Sequence, residues 1–172
     1  MPRLPQLAED STGLLDETRR QLGRVPNLYA ALANGPAALA GYLAMRDHLT
    51  RGVLTPRLRE QLALLIAQEN SCTYCVSAHT LRGTRMGLTP DELARTREAS
   101  DADPHADAVL RIARAVVRDR GRVGDRELTD ARAAGVSDAE LAEIVAHVAL
   151  NTLSNYFNHL AQPELDFPEV AA

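Results

Sequence analysis

Residues 62–67 read Leu-Ala-Leu-Leu-Ile-Ala and are apolar on nearly every face of a helix that holds them. A segment without a polar side cannot lie on a surface, so the rest of the chain has to be laid around it. Its start is well marked, because Thr55-Pro56 supplies an N-cap followed by proline at the first helical position. At 172 residues the chain suffices for one domain with a proper core. Aromatic residues make up 3% and Trp is absent, so Leu, Ala, Val and Ile must build that core. Abundant alanine and leucine favour helix.

The flanking segments carry the same signals. Residues 1–10, with two prolines, read as an extended N-terminal arm, disordered or packed on a partner subunit. A first helix is predicted over 14–22, stopped by Gly23 and Pro26, and a short helical turn over 27–33. Pro36 opens the next helix, which carries Leu39, Tyr42, Leu43, Met45 and Leu49 and closes at Gly52. The apolar helix breaks at Glu69-Asn70-Ser71, where Ser71 is expected to cap a new helix starting at Cys72 and ending at Gly87. Thr89 with Glu92 and Ser137 with Glu140 each form a capping box. Further helices are expected from Asp103-Pro104 to Arg118, around 127–134, and from Asp138 to about Ala161. No segment alternates as a strand does, so the chain reads as a single all-α domain. An offset of 82 residues sets Thr55 against Ser137, Ala67 against Ala149 and Tyr74 against Tyr156, a weak internal repeat.

The chemistry gathers in Glu60 to His79. Both cysteines of the chain, Cys72 and Cys75, lie here in a C-x-x-C, with His79 four residues on. Steps of three and four put the two thiols and the imidazole on one helix face. Cys72, expected at N1, faces the unpaired N–H groups and positive end of its helix, which favours a thiolate. His79 can take a proton from Cys75. Glu60 shares its stripe with Ala63, Leu64 and Ala67, where a carboxylate needs a partner, and His79 is the natural one. The plain alternatives are two inert core cysteines, a surface histidine, and Glu60 paired with Arg57 or Arg59. A zinc site from these four residues lacks the second ligand pair that structural zinc prefers, so no metal is expected. His147, Asn151, Ser154 and Asn158 form a second polar stripe on the last helix. A buried helix facing a cleft and an ordinary solvated face would both look like this; the solvated face is the expectation, and the Asn-Tyr-Phe-Asn-His segment with His159 is the alternative site of a subunit contact.

Composition excludes several classes. Every basic residue is Arg, so lysine-dependent chemistry such as a Schiff base is ruled out. The net charge of −4 and the absence of a basic run argue against nucleic acid. No apolar run spans a membrane and Met1 to Asp10 lacks a signal-peptide core, so a cytoplasmic protein is expected. In that compartment a C-x-x-C is redox-active or metal-binding rather than a structural staple.

The pattern E-(x)11-C-x-x-C-x-x-x-H, with Asn70 before the first cysteine and Ala78-His79 at its end, resembles the alkylhydroperoxidase D-like, carboxymuconolactone decarboxylase superfamily. VPNLYAALANGPAALAGYLAMRDHL and NYFNHLAQPELDFP are similar to its peroxidase-related branch. The resemblance implies an all-helical fold with an internal repeat, homo-oligomers (trimers or hexamers), and thiol peroxidase activity without a cofactor. It implies that Cys75 attacks the peroxide and that Cys72 resolves the sulfenic acid, gives a proton and meets an unidentified thiol or dithiol reductant. Glu60 and His79 would relay protons. The chain departs from the family at Tyr74, where alkylhydroperoxidase D has a second histidine. A thiol–disulfide oxidoreductase and a redox-sensing helical oligomer are the alternatives.

Overall fold

The computed structural model describes residues 1–172 as nine helices and no strand. They are α1 (Leu14–Leu22), α2 (Asn27–Leu32), α3 (Pro36–Leu49), α4 (Pro56–Glu69), α5 (Thr73–Arg85), α6 (Pro90–Arg97), α7 (Pro104–Arg118), α8 (Asp125–Ala133) and α9 (Asp138–Ala161). The chain is all-α, and no helix is long and apolar enough to cross a membrane.

The fold is organised around α4, which packs on α5, α6, α7 and α9. Gln61 to Ala67 are all buried, as an all-round apolar segment requires. Leu58, Leu62, Leu65 and Ile66 pack with Val109, Leu110, Ile112 and Ala113 of α7 and Ile144 of α9. Leu64 and Ala67 turn the other way, into a cluster with Cys72, Cys75, Val76, Leu88 and Leu93. A third cluster joins α1, α2 and α3 to Leu150 of α9. One helix thereby fixes the position of α5 relative to everything else.

Cap chemistry sets most boundaries. The Thr55 side chain accepts from Leu58 N, and Thr89/Glu92 and Ser137/Glu140 form complete capping boxes. Thr55 and Ser137 head helices 82 residues apart in register, but the echo ends where α4 does. The sequence α4–turn–α5 is answered by one unbroken helix, α9, and Tyr156 is exposed where Tyr74 packs.

The turn between α4 and α5 corrects the expected start of the cysteine helix. Ser71 is not an N-cap: it lies beyond the end of α4 with φ 53, in the left-handed region. Ser71 N donates to Gln68 O at 3.0 Å and Cys72 N to Ala67 O at 2.9 Å, which closes α4 as a Schellman motif. Cys72 is therefore the N-cap of α5 rather than its first residue, and its sulfur accepts from Cys75 N at 3.4 Å. A non-glycine residue in this conformation costs on the order of 1 kcal/mol, and here it aims a thiol at a helix start. The N-terminal arm lies on its own chain, with Arg3 N on Ala161 O, Leu7 N on Ala30 O and the Asn34 amide on Pro5 O.

Candidate active site

The two sulfurs lie 2.8 Å apart at the head of α5, both buried and both as free thiols. One turn on, the Nδ1 of His79 meets Glu60 Oε1 at 2.6 Å. Glu60 thus reaches across from α4 to α5 as its small neighbours allow, while Arg57 pairs with Glu92 and Arg59 donates to the Leu54 carbonyl. With Nδ1 engaged by the carboxylate, Nε2 is the ring atom left to exchange a proton. Burial opposes the Glu60 charge, but His79 and then Arg82 hold its carboxyl below the usual value. Cys75, His79 and Arg82 line one cavity of about 30 Å³, together with Tyr29, Tyr42, Ser154 and Phe167.

The thiols split unequally. The hydrogen bond with the Cys75 thiol brings Cys72 down to about 7 against the pull of burial, helped by Cys75 N–H, His159 and Asn158. Cys75 is pushed well above the ordinary thiol value by its hydrogen bond with Cys72 and by burial. The pair thus loses one proton near neutral pH, with the charge resting on Cys72, and holds the second tightly. Cys72 is the more acidic thiol, as its place at the helix start predicts, while Cys75 is the one that faces the cavity.

The polar stripe of α9 is the main correction to the sequence reading. His147, Asn151, Ser154 and Asn158 are all buried rather than solvated. Asn158 Nδ2 lies 3.1 Å from Cys75 Sγ and 4.0 Å from Cys72 Sγ. Asn155, wholly buried beside it, also favours an anion on Cys75. Asn155 Oδ1 accepts from Asn70 Nδ2 at 2.9 Å, and His159 Nε2 sits 2.8 Å from the Asn70 backbone carbonyl. The α4–α5 turn is therefore pinned to α9 by Asn70, and His159 reaches that turn. The spacing of four, three and four was visible, but polar side chains on a buried face and on a wet one look alike in sequence. Only the neighbours of α9 distinguish them.

Tyr74 takes a structural position. Its hydroxyl donates to Asp166 at 2.5 Å and accepts from Leu28 N at 3.2 Å, and burial first, then Asp166, hold the phenol protonated. No group of three or more His, Cys, Asp or Glu residues is placed to hold a metal ion. A larger cavity of about 600 Å³ lies along α7 and α8, away from the thiols. Its cations are already engaged: Arg111 by Asp107, Arg118 by Glu69, and Arg114 by the Glu98 carbonyl.

A helical domain built around a buried C-x-x-C with a carboxylate–imidazole pair is a thiol-bearing fold of a recognisable class. The carboxymuconolactone decarboxylase family model matches residues 36–119. The alkyl hydroperoxide reductase Rv2159c of Mycobacterium tuberculosis is 34% identical over 94 residues, 52% of this chain. The match spans only 27% of that relative's length. An uncharacterized peroxidase-related protein with the alkylhydroperoxidase AhpD core, from Ralstonia eutropha JMP134, superposes with a TM-score of 0.82 at 26% identity, over 96% of this chain and 92% of that one. The debrominase Bmp8, in complex with 2,3,4-tribromopyrrole, shares the fold at a TM-score of 0.79 and 16% identity, over 96% of this chain and 93% of its own. Over residues 36–119 the chain matches the carboxymuconolactone decarboxylase family, and over nearly its whole length it has the fold of the alkylhydroperoxidase-like, peroxidase-related proteins to which it is similar.

Proposed function

We propose that the protein is a thiol peroxidase that reduces hydrogen peroxide or organic hydroperoxides at Cys75 and is recycled through a Cys72–Cys75 disulfide. The observation that carries this reading is the cavity on which Cys75 and His79 open together, with the second sulfur 2.8 Å behind. At neutral pH one proton is shared between the sulfurs and the charge rests on Cys72. Transfer of the Cys75 proton across that short contact puts the thiolate where a cavity-bound peroxide can meet it. The Asn158 amide stands ready to stabilise it there.

The Cys75 thiolate attacks one peroxide oxygen and the O–O bond breaks. Cys75 becomes a sulfenic acid, and the leaving oxygen takes a proton supplied through His79 and Glu60. Cys72 then attacks the Cys75 sulfur, water leaves and the disulfide closes. An external thiol or dithiol returns both cysteines to the reduced state. Peroxide consumption by the Cys75→Ser and Cys72→Ser variants tests the reading. Loss in the first with a sulfenic acid trapped on Cys75 in the second supports it, and full turnover by Cys75→Ser contradicts it.

The depressed thiol favours a second reading, because an acidic cysteine at a helix start is the usual nucleophile of thiol–disulfide exchange. Disulfide exchange faster than peroxide reduction would assign the protein to that class. We also propose that the chain assembles with copies of itself. Supporting this, Val145, Leu153, Tyr156 and Leu160 leave an exposed apolar stripe along α9.

A further inference from the structure

The segment that follows α9 returns to the active site. Phe167 lines the Cys75 cavity and stands edge-on to Tyr74, with ring centroids 5.4 Å apart. The Arg24 guanidinium lies over the Phe167 ring, 4.7 Å from its centroid. Beside it, the Asp166 carboxylate is held three ways: by Tyr74 OH at 2.5 Å, by Arg24 at 3.0 Å and by Asn27 N at 3.2 Å. The rest of the segment is tied on polar contacts. Ser77 exchanges hydrogen bonds with Val170 N and O, and Arg97 donates to the Ala171 carbonyl.

We propose that residues 162–172 form a strap across the Cys75 cavity, latched by Asp166. Closed, it restricts the reaction to hydrogen peroxide and hydroperoxides of similar size, and bulky organic hydroperoxides react only when the latch opens. The inference rests on the peroxidase reading and narrows its substrate class. Two observations carry it together. With Phe167 in place, the cavity is about 30 Å³, room for one or two water-sized molecules. A peroxide of two oxygens fits there, whereas an arylalkyl group does not. The strap is held at Asp166 by hydrogen bonds and an ion pair, and beyond Phe167 only Val170 packs on the cluster around the cysteines without being fully buried in it, so the contacts at Asp166 are separable without unfolding α2 or α5. Arg24 and Asn27 precede and begin α2, and Tyr74 belongs to α5, so one carboxylate joins the two walls of the cavity.

The test compares the full chain with Asp166→Ala and, independently, Phe167→Ala. Two ratios are measured: kcat/KM for cumene hydroperoxide over hydrogen peroxide with dithiothreitol as reductant, and the alkylation rate of Cys75 by fluorescein maleimide over iodoacetamide. Removing the charge-assisted hydrogen bonds of Asp166 shifts the open population by about tenfold or more, and removing the Phe167 ring unblocks the cavity directly, so both ratios should rise in both variants, by about that factor in Asp166→Ala. Ratios unchanged in both variants overturn the strap, as does a wild-type protein that already prefers cumene hydroperoxide. A rise in the alkylation ratio with no peroxide consumed by any of the proteins upholds the strap and overturns the peroxidase reading instead.

Discussion

Asn158→Leu isolates what the α9 stripe does for the thiols. The change keeps the branched shape of the side chain but removes the amide that lies 3.1 Å from Cys75 Sγ and 4.0 Å from Cys72 Sγ. A hydrogen bond to a charged group is worth about 1.5–3 kcal/mol, and about 1.4 kcal/mol moves a pKa by one unit. Cys72 now sits at about 7. The first charge rests on Cys72, where the amide is 4.0 Å away, so the first ionisation of the pair should move up by at most about one unit in the variant. The thiolate fraction at neutral pH then falls from roughly half towards about a tenth. The fold should survive, because Asn158 Oδ1 is itself buried without a partner, and removing an unpaired polar atom relieves a desolvation penalty. The assay is the pH dependence of thiolate absorbance in the ultraviolet, checked by site-resolved alkylation and by circular dichroism. An unmoved midpoint in a folded variant would refute the argument that this amide stabilises the thiolate.

Four further outcomes follow from the geometry. Glu60→Gln leaves His79 without its carboxylate partner, and peroxide turnover should fall about a hundredfold while the Cys72 midpoint stays near its wild-type value. His147 is held below its ordinary value of 6.5 by burial and then by Arg59, so the unfolded chain binds the proton more readily. Stability should be complete above that pH and decline as pH falls through 6.5 towards the lower folded value, and His147→Gln should flatten that part of a urea-midpoint profile. A methyl at Gly83 would meet Leu93 Cδ2 at 2.8 Å and Leu88 Cδ1 at 2.9 Å, so Gly83→Ala should destabilise by about 1–3 kcal/mol in denaturant unfolding. Leu153→Glu with Tyr156→Glu should yield a smaller species in sedimentation if the α9 stripe carries self-assembly, and an unchanged mass would remove that surface from the assembly.

Much of the fold was legible because its boundaries are written in local chemistry. Proline after an N-cap at Thr55, Gly35 and Asp103, and the capping boxes at Thr89 and Ser137, mark helix starts that depend on no distant contact. The apolar run in α4 announced its own burial. The pairing of Glu60 with His79 was legible too, since a carboxylate among small apolar residues has few ways to be satisfied. What escaped depends on tertiary neighbours. Ser71 adopts a left-handed conformation usually taken by glycine, so nothing in its identity signalled the Schellman turn that moved Cys72 to the N-cap. Asn155 and Asn158 became part of the thiol site only because α9 lies behind α5, and Asp166 meets Tyr74 across 92 residues. A contact of that separation leaves no periodic trace.

The account stands most directly on which sulfur the peroxide oxidises. Cys72→Ser protein treated with one equivalent of hydrogen peroxide and then with a sulfenic-acid probe should carry the label on Cys75 in nearly every chain. Cys75 left as a free thiol in folded protein after that treatment would contradict it.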